Sequence, residues 1–171
     1  MKQETIMRIE WIEKYLIEAE QLIYANNVEG GLRLMNDLLY DEPGYEGLHN
    51  YLGWAYLYYT ADLDRAEMHL RTAVKFNAEY PAPYLHMGTL LIRKAKYNEA
   101  ITFLEKGLQK PNANRLAFLE SIAHAYELRG EYKKAINTYK SALKASIGHE
   151  SNTLMDSIKR CRKKRVTLFF S

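Results

Sequence analysis

The chain has 171 residues, 47% hydrophobic and 26% charged, with a net charge of +3 and one cysteine, Cys161. That balance suits one soluble domain or a short repeat array, and a single cysteine excludes an internal disulfide. No apolar run approaches the ~20 residues of a membrane-spanning helix. The chain opens with Met1-Lys2-Gln3-Glu4 and a charged amphipathic helix, with no apolar stretch of the signal-peptide kind. A cytoplasmic protein is therefore expected. Periodicity predicts a first helix near residues 5–25, with Ile9, Ile12, Leu16, Ala19 and Ile23 on one stripe. Asn26-Asn27 ends it. A partner helix near 28–40 stops at Asp41-Glu42-Pro43-Gly44. The next pair is predicted near 45–59 and 62–76. Its turn, Thr60 to Asp64, offers Asp62 as an N-cap. Tyr80-Pro81-Ala82-Pro83 opens a third pair, whose helices meet at Lys94–Lys96. Pro111-Asn112-Ala113-Asn114 precedes the fourth, with Asn114 as N-cap, and Gly148-His149 ends it. A ninth helix near 151–165 carries Leu154, Ile158 and Cys161 on one face and basic residues on the other.

The pairs repeat. Small residues at Gly31, Ala66, Ala100 and Ala135 are spaced 35, 34 and 35. Leu38, Ala73, Gly107 and Ala142 repeat those spacings, and Ala19, Gly53, Gly88 and Ala123 are spaced 34, 35 and 35. Small residues in mid-face let two antiparallel helices approach closely. Tyr15, His49, Tyr84 and Leu119 share the frame, as do Leu22, Tyr56, Leu91 and Tyr126.

A two-helix unit with a period near 34 resembles the tetratricopeptide repeat (TPR) family. Tyr84, Met87-Gly88, Leu91, Ala100, Leu104 and Gly107 stand at the family's offsets. Leu52-Gly53, Tyr56, Ala66, Leu70 and Ala73 do so in the preceding unit, and Ile122-Ala123, Tyr126, Gly130, Tyr132, Ala135, Tyr139 and Ala142 in the last. The first unit is the most degenerate. Against the family spacing, the turn of the second unit and the link between the third and fourth each hold one extra residue. The resemblance implies an all-α, right-handed α-solenoid of about four hairpins, with units near 12–45, 46–80, 81–115 and 116–149. A C-terminal solvating helix at 150–166 would cover the last hairpin, and 167–171 would be an apolar tail.

Chemistry-bearing motifs are absent. The five histidines form no i, i+4 pair of the zinc-protease kind, and one cysteine builds no cysteine zinc site. No phosphate loop or nucleophile elbow is present, so no cofactor, metal or catalytic residue is expected. Asp62 and Asp64 lack the glycine and distal glutamate of a calcium loop. Cys161 lies between Arg160 and Arg162, which favours a thiolate, but its place on the apolar face predicts packing.

The resemblance places binding on the concave surface, lined by the first helix of each hairpin. The candidate groove residues are Leu16, Glu20 and Tyr24, then Asn50, Tyr51, Trp54 and Tyr58, then Leu85, His86, Thr89 and Arg93, then His124. Tyr51, Trp54 and Tyr58 lie one helical turn apart, an anchor set for a peptide. The expected function is a non-catalytic protein–protein interaction scaffold that binds a peptide or protein segment. One TPR class clamps the C-terminal carboxylate of chaperones with lysine, arginine and asparagine. Here those positions hold Leu16, Glu20, Tyr51, Ala82 and His86, so no carboxylate clamp is expected.

A second reading rests on Lys159, Arg160, Arg162, Lys163, Lys164 and Arg165, six cations in seven residues. Without them the net charge is −3. Such a patch suits nucleic acid or an anionic membrane surface. The following Val166-Thr167-Leu168-Phe169-Phe170 also resembles the start of a membrane segment. Alternatively, Leu168, Phe169 and Phe170 dock over Tyr51, Trp54, Tyr58 and Leu85 in a groove, the chain's own or, more readily reached from behind the fourth unit, a neighbour's, which gives self-association.

Overall fold

The computed structural model describes residues 2–60, 62–146 and 151–167, with side chains from residue 8 onward. Gly148-His149 and the tail from Leu168 to Ser171 lie outside the described residues. Those described form nine α-helices and one π-turn. The chain divides into two compact units, Met1–Ala78 and Glu79–Ser171.

The first unit holds α1 (Lys2–Tyr24), α2 (Val28–Asp41), α3 (Glu46–Ala55), the π-turn Tyr56–Thr60 and α4 (Leu63–Phe76). Helices α1 and α2 pack as one hairpin, α3 and α4 as another, and α2 joins them through α3. Ile12, Leu16, Ala19 and Ile23 of α1 are buried, and Met35 and Leu38 of α2 meet them. Leu48, Leu52 and Ala55 of α3 close on Ala66, Leu70 and Ala73 of α4. Two N-caps fix the second helix of each hairpin: Asn27 Oδ1 accepts the Gly30 N–H at 3.0 Å and Asp62 Oδ1 the Arg65 N–H at 3.0 Å.

A polar pair lies inside this unit. His49 Nε2 is 3.0 Å from the Pro43 carbonyl, so that nitrogen carries the proton. His49 Nδ1 and His69 Nδ1 lie 3.0 Å apart, a hydrogen bond between the two rings. The His69 ring stacks on Tyr56 at 5.7 Å. Burial, then His49 and Arg65, pull the His69 imidazole down to about 4. The His69 ring is therefore a neutral hydrogen-bonding member of the core near pH 7.

The second unit holds α5 (Ala82–Arg93), α6 (Tyr97–Leu108), α7 (Arg115–Leu128), α8 (Tyr132–Ala145) and α9 (Ser151–Thr167). Helices α5 and α6 pair, as do α7 and α8, and α9 lies against α8. Asn114 Oδ1 caps α7 through the Ala117 N–H at 3.1 Å. Leu154, Ile158 and Cys161 of α9 join Leu119, Ala123, Ala135, Ile136, Tyr139 and Ala142 in one core cluster. Burial comes first among the causes that push the Cys161 thiol up to about 11, so it packs as a neutral side chain.

Three hairpins turn in the same way. Asn26, Ala95 and Gly130 each take positive φ, at 65°, 56° and 83°. The residue after each donates to a carbonyl five back: Asn27 to Leu22, Lys96 to Leu91 and Glu131 to Tyr126, at 2.8, 2.8 and 2.9 Å. This left-handed closure satisfies the last carbonyls of the preceding helix.

The glycines set the closest approaches. A Cβ on Gly31 would sit 2.6 Å from the Ala19 carbonyl oxygen, which is backbone. One on Gly88 would sit 2.3 Å from Cδ2 and 2.5 Å from Cγ of Leu104. Overpacking of this kind costs roughly 1–3 kcal/mol, against about 1 kcal/mol of helix propensity gained by alanine. Gly31→Ala is expected to destabilise more than Gly88→Ala, because a carbonyl in a helix cannot step aside as Leu104 can. Urea unfolding of both variants tests it. A Gly31→Ala protein as stable as wild type would refute the close contact of α1 with α2.

Candidate peptide-docking faces

The first unit exposes aromatic rings. Trp54 of α3 stands edge-to-face with Tyr24 of α1 at 5.8 Å, with Tyr51 at 6.2 Å and with Tyr59 at 5.0 Å. Tyr24 and Tyr59 are 6.3 Å apart. Tyr24 is 64% exposed, Tyr58 41% and Tyr59 38%, while Tyr51 and Trp54 are half-buried. Mutually inclined rings stabilise one another and still present faces and edges to water.

The π-turn explains which rings meet. The extra residue of the second unit is not spent in the loop between helices. It is absorbed at the end of the first helix, where Tyr56–Thr60 widens into i→i+5 bonding. An unbroken α-helix would set Tyr58 one turn above Trp54. Here the ring packed on Trp54 is Tyr59. The ladder expected from spacing, Tyr51–Trp54–Tyr58, is corrected to Tyr51–Trp54–Tyr59 with Tyr24 across from it. Thr60 closes the turn, its hydroxyl donating to the Tyr56 carbonyl at 3.0 Å and accepting the Asp62 N–H at 3.1 Å.

Other groove candidates of this unit fare differently. Glu20 is half-buried and accepts the Tyr24 hydroxyl at 3.1 Å. Leu16 is only 3% exposed and Asn50 6%, so neither is available to a ligand. Leu16 lies on the same stripe as Ile12, Ala19 and Ile23, and that stripe is the core face of α1.

In the second unit, Thr89, Arg93 and His124 line one open pocket of about 470 Å³ with Glu120, Tyr139, Ser157 and Arg160. The last two belong to α9, so the terminal helix forms part of the wall as well as a cover. Leu85 is half-buried and accepts the Thr89 hydroxyl through its carbonyl at 3.3 Å. His86 is half-buried, and desolvation of its ring pulls it down to about 4. It is a neutral group at pH 7.

The basic cluster is not one solvated patch. Glu127, 4% exposed, accepts from Arg160 Nε at 2.7 Å, Arg160 Nη2 at 2.8 Å and Lys164 Nζ at 2.9 Å. The Tyr139 hydroxyl adds a fourth contact at 3.3 Å. The Arg160 hydrogen bond first, and then that of Lys164, hold the carboxyl down to about 2 against the opposing effect of burial. Lys159 pairs with Asp156 at 3.1 Å. Three of the six cations are thus engaged within the unit, and Arg162, Lys163 and Arg165 are exposed. Among the described residues, no three or more His, Cys, Asp or Glu are placed to hold a metal ion. None of the described helices is long and apolar enough to cross a membrane.

Paired antiparallel helices with a repeated close-contact code, and faces of exposed aromatic and polar side chains, define a helical-repeat scaffold. Two family models described as tetratricopeptide repeat match residues 82–109 and 119–151. Those two stretches are tetratricopeptide repeats. No curated protein matches it. Among solved structures, PilF of Pseudomonas aeruginosa superposes with a TM-score of 0.84 at 15% identity, over 94% of this chain and 71% of that one. MamA superposes at 0.75 with 18% identity, over 90% and 81% of the two chains. A thermophilic TPR protein of Thermus thermophilus superposes at 0.70 with 20% identity, over 89% and 80%. At such identities the likeness shows the fold, an all-α TPR solenoid. Repeats of this kind are typically protein-interaction scaffolds.

Proposed function

We propose that the protein is a non-catalytic adaptor that binds a peptide or protein segment, with the aromatic face of the first unit as the anchor. The observation that carries this is the exposure of Tyr24 beside Trp54 and Tyr59. A large aromatic cluster held half in water offers rigid contact area at little entropic cost. The pocket of Thr89, Arg93 and His124 offers polar contacts of its own. The basic-helix reading is weakened by the engagement of Arg160 and Lys164 with Glu127. The lone cysteine, buried and neutral, supports a reducing, cytoplasmic setting.

Photo-crosslinking in native lysate tests the anchor. A crosslinker replacing Tyr24 or Tyr59 should give a discrete adduct that Trp54→Ala removes. The same group at Tyr40, 89% exposed on α2, should give none. Equal adducts from all three positions would show that the aromatic face is not the anchor.

A further inference from the structure

The charge around the aromatic face indicates its ligand. The first unit, residues 1–78, contains thirteen acidic and seven basic residues, a net of −6. Four of the seven basic residues are tied to carboxylates of the same unit: Arg8 to Glu42, Arg33 to Glu29, Arg65 to Asp62 and Arg71 to Glu67. Glu20 lies at the rim of the ring cluster, fixed there by the Tyr24 hydroxyl at 3.1 Å. Glu13 lies two turns back on α1, within about 20° of Glu20 around the helix by the 3.6-residue period. Lys14 follows Glu13 and is turned about 100° away from it. Burial first, and then the charges of Glu20 and Glu13, raise the Tyr51 phenol pKa, so both carboxylates lie within reach of that ring. The ring faces carry negative quadrupoles of their own.

Rings and carboxylates together repel an anion and favour a cation with an apolar stem. Lysine and arginine have that form: the methylenes lie on a ring and the charged head reaches a carboxylate. We propose that the Tyr24, Trp54, Tyr59 and Tyr51 platform, edged by Glu20 and Glu13, binds a lysine- or arginine-bearing segment of a partner protein. This rests on the adaptor reading and adds the ligand class. The same chain uses such contacts internally, with Arg65 over Tyr56 at 5.5 Å and Lys110 over Tyr84 at 5.6 Å.

The test uses the full chain with Trp11→Phe, which leaves Trp54 as the only tryptophan reporter. Three N-acetylated, C-amidated hexapeptides are titrated, identical except for two central lysines, norleucines or glutamates. The lysine peptide is expected to change Trp54 emission and to bind about tenfold or more tighter than the glutamate peptide. Glu20→Gln should weaken it by up to about fivefold. Tyr24→Ala, at an exposed site that leaves the core intact, should weaken it by roughly threefold to thirtyfold. Raised salt should weaken it further. Equal binding of the norleucine peptide overturns the cation proposal while the adaptor reading stands. Failure of every peptide, with crosslinks that ignore Trp54→Ala, overturns both. Sedimentation covers the remaining occupant, a second copy docking through its C-terminal tail. Self-association that Trp54→Ala abolishes, in a chain whose Trp54 emission no lysine peptide changes, would assign the face to that copy and refute the proposal.

Discussion

Truncation after Ser146, which removes α9, is expected to abolish cooperative melting of the second unit and to cause aggregation. Helix α9 contributes Leu154, Ile158 and Cys161, at 1%, 6% and 0% exposure, to a core shared with Leu119, Ala135, Tyr139 and Ala142. Fully burying a leucine or isoleucine is worth about 1.5–3 kcal/mol each, so the helix supplies on the order of 5 kcal/mol with its cysteine. That approaches the entire net stability of a small domain, about 5–15 kcal/mol. Removing it also exposes the apolar face of α8, and a repeat array with an uncovered terminal face associates. Differential scanning calorimetry with light scattering reads both effects. Met155→Glu on the outward face of α9, at a site 45% exposed, is the control and should melt like wild type. A truncated chain that stays monomeric with an unchanged transition would refute the covering role.

The repeat is legible in sequence because close helix contacts demand small residues at fixed places. Gly53 faces Leu70, Gly88 faces Leu104 and Gly107 faces Phe118 and Tyr84, all within a few ångströms. Such positions recur with the repeat and survive subtraction. The caps at Asp62 and Asn114 are legible for the same local reason. The aromatic face is only half legible. Trp54 and Tyr51 follow from α-helical spacing, but Tyr59 does not, because the π-turn breaks that spacing. An extra residue announces itself in the count, yet its absorption in a helix rather than a loop depends on packing. Pairing across elements is the least visible. His49 and His69 are 20 residues apart, and Glu127 is 33 and 37 residues from Arg160 and Lys164. Helical spacing alone places those cations on the basic face of the ninth helix and does not bring Glu127 to them.

The Glu127 cluster yields an asymmetric expectation. Arg160→Ala with Lys164→Ala should destabilise the protein by about 3–5 kcal/mol, since it leaves a buried carboxylate without compensation. Glu127→Gln should cost less, about 1–2 kcal/mol, because both cations are 47% exposed and can turn to water. Adding Glu127→Gln to the double variant should therefore restore stability, a sign reversal peculiar to buried charge. The pH dependence follows from the same carboxyl. Its folded pKa, about 2, lies below its ordinary 4.5, so the unfolded chain binds more protons between those values. The stabilisation is complete above about pH 4.5 and is lost as pH falls towards about 2. In the double variant the buried carboxyl loses its cations and gains stability on protonation, so its deficit against wild type should shrink on acidification. Urea unfolding of the four proteins at pH 7 and pH 3 measures this. A deficit that stays constant with pH, or a Glu127→Gln loss equal to that of the double variant, would show that burial of the charge does not govern this corner of the fold.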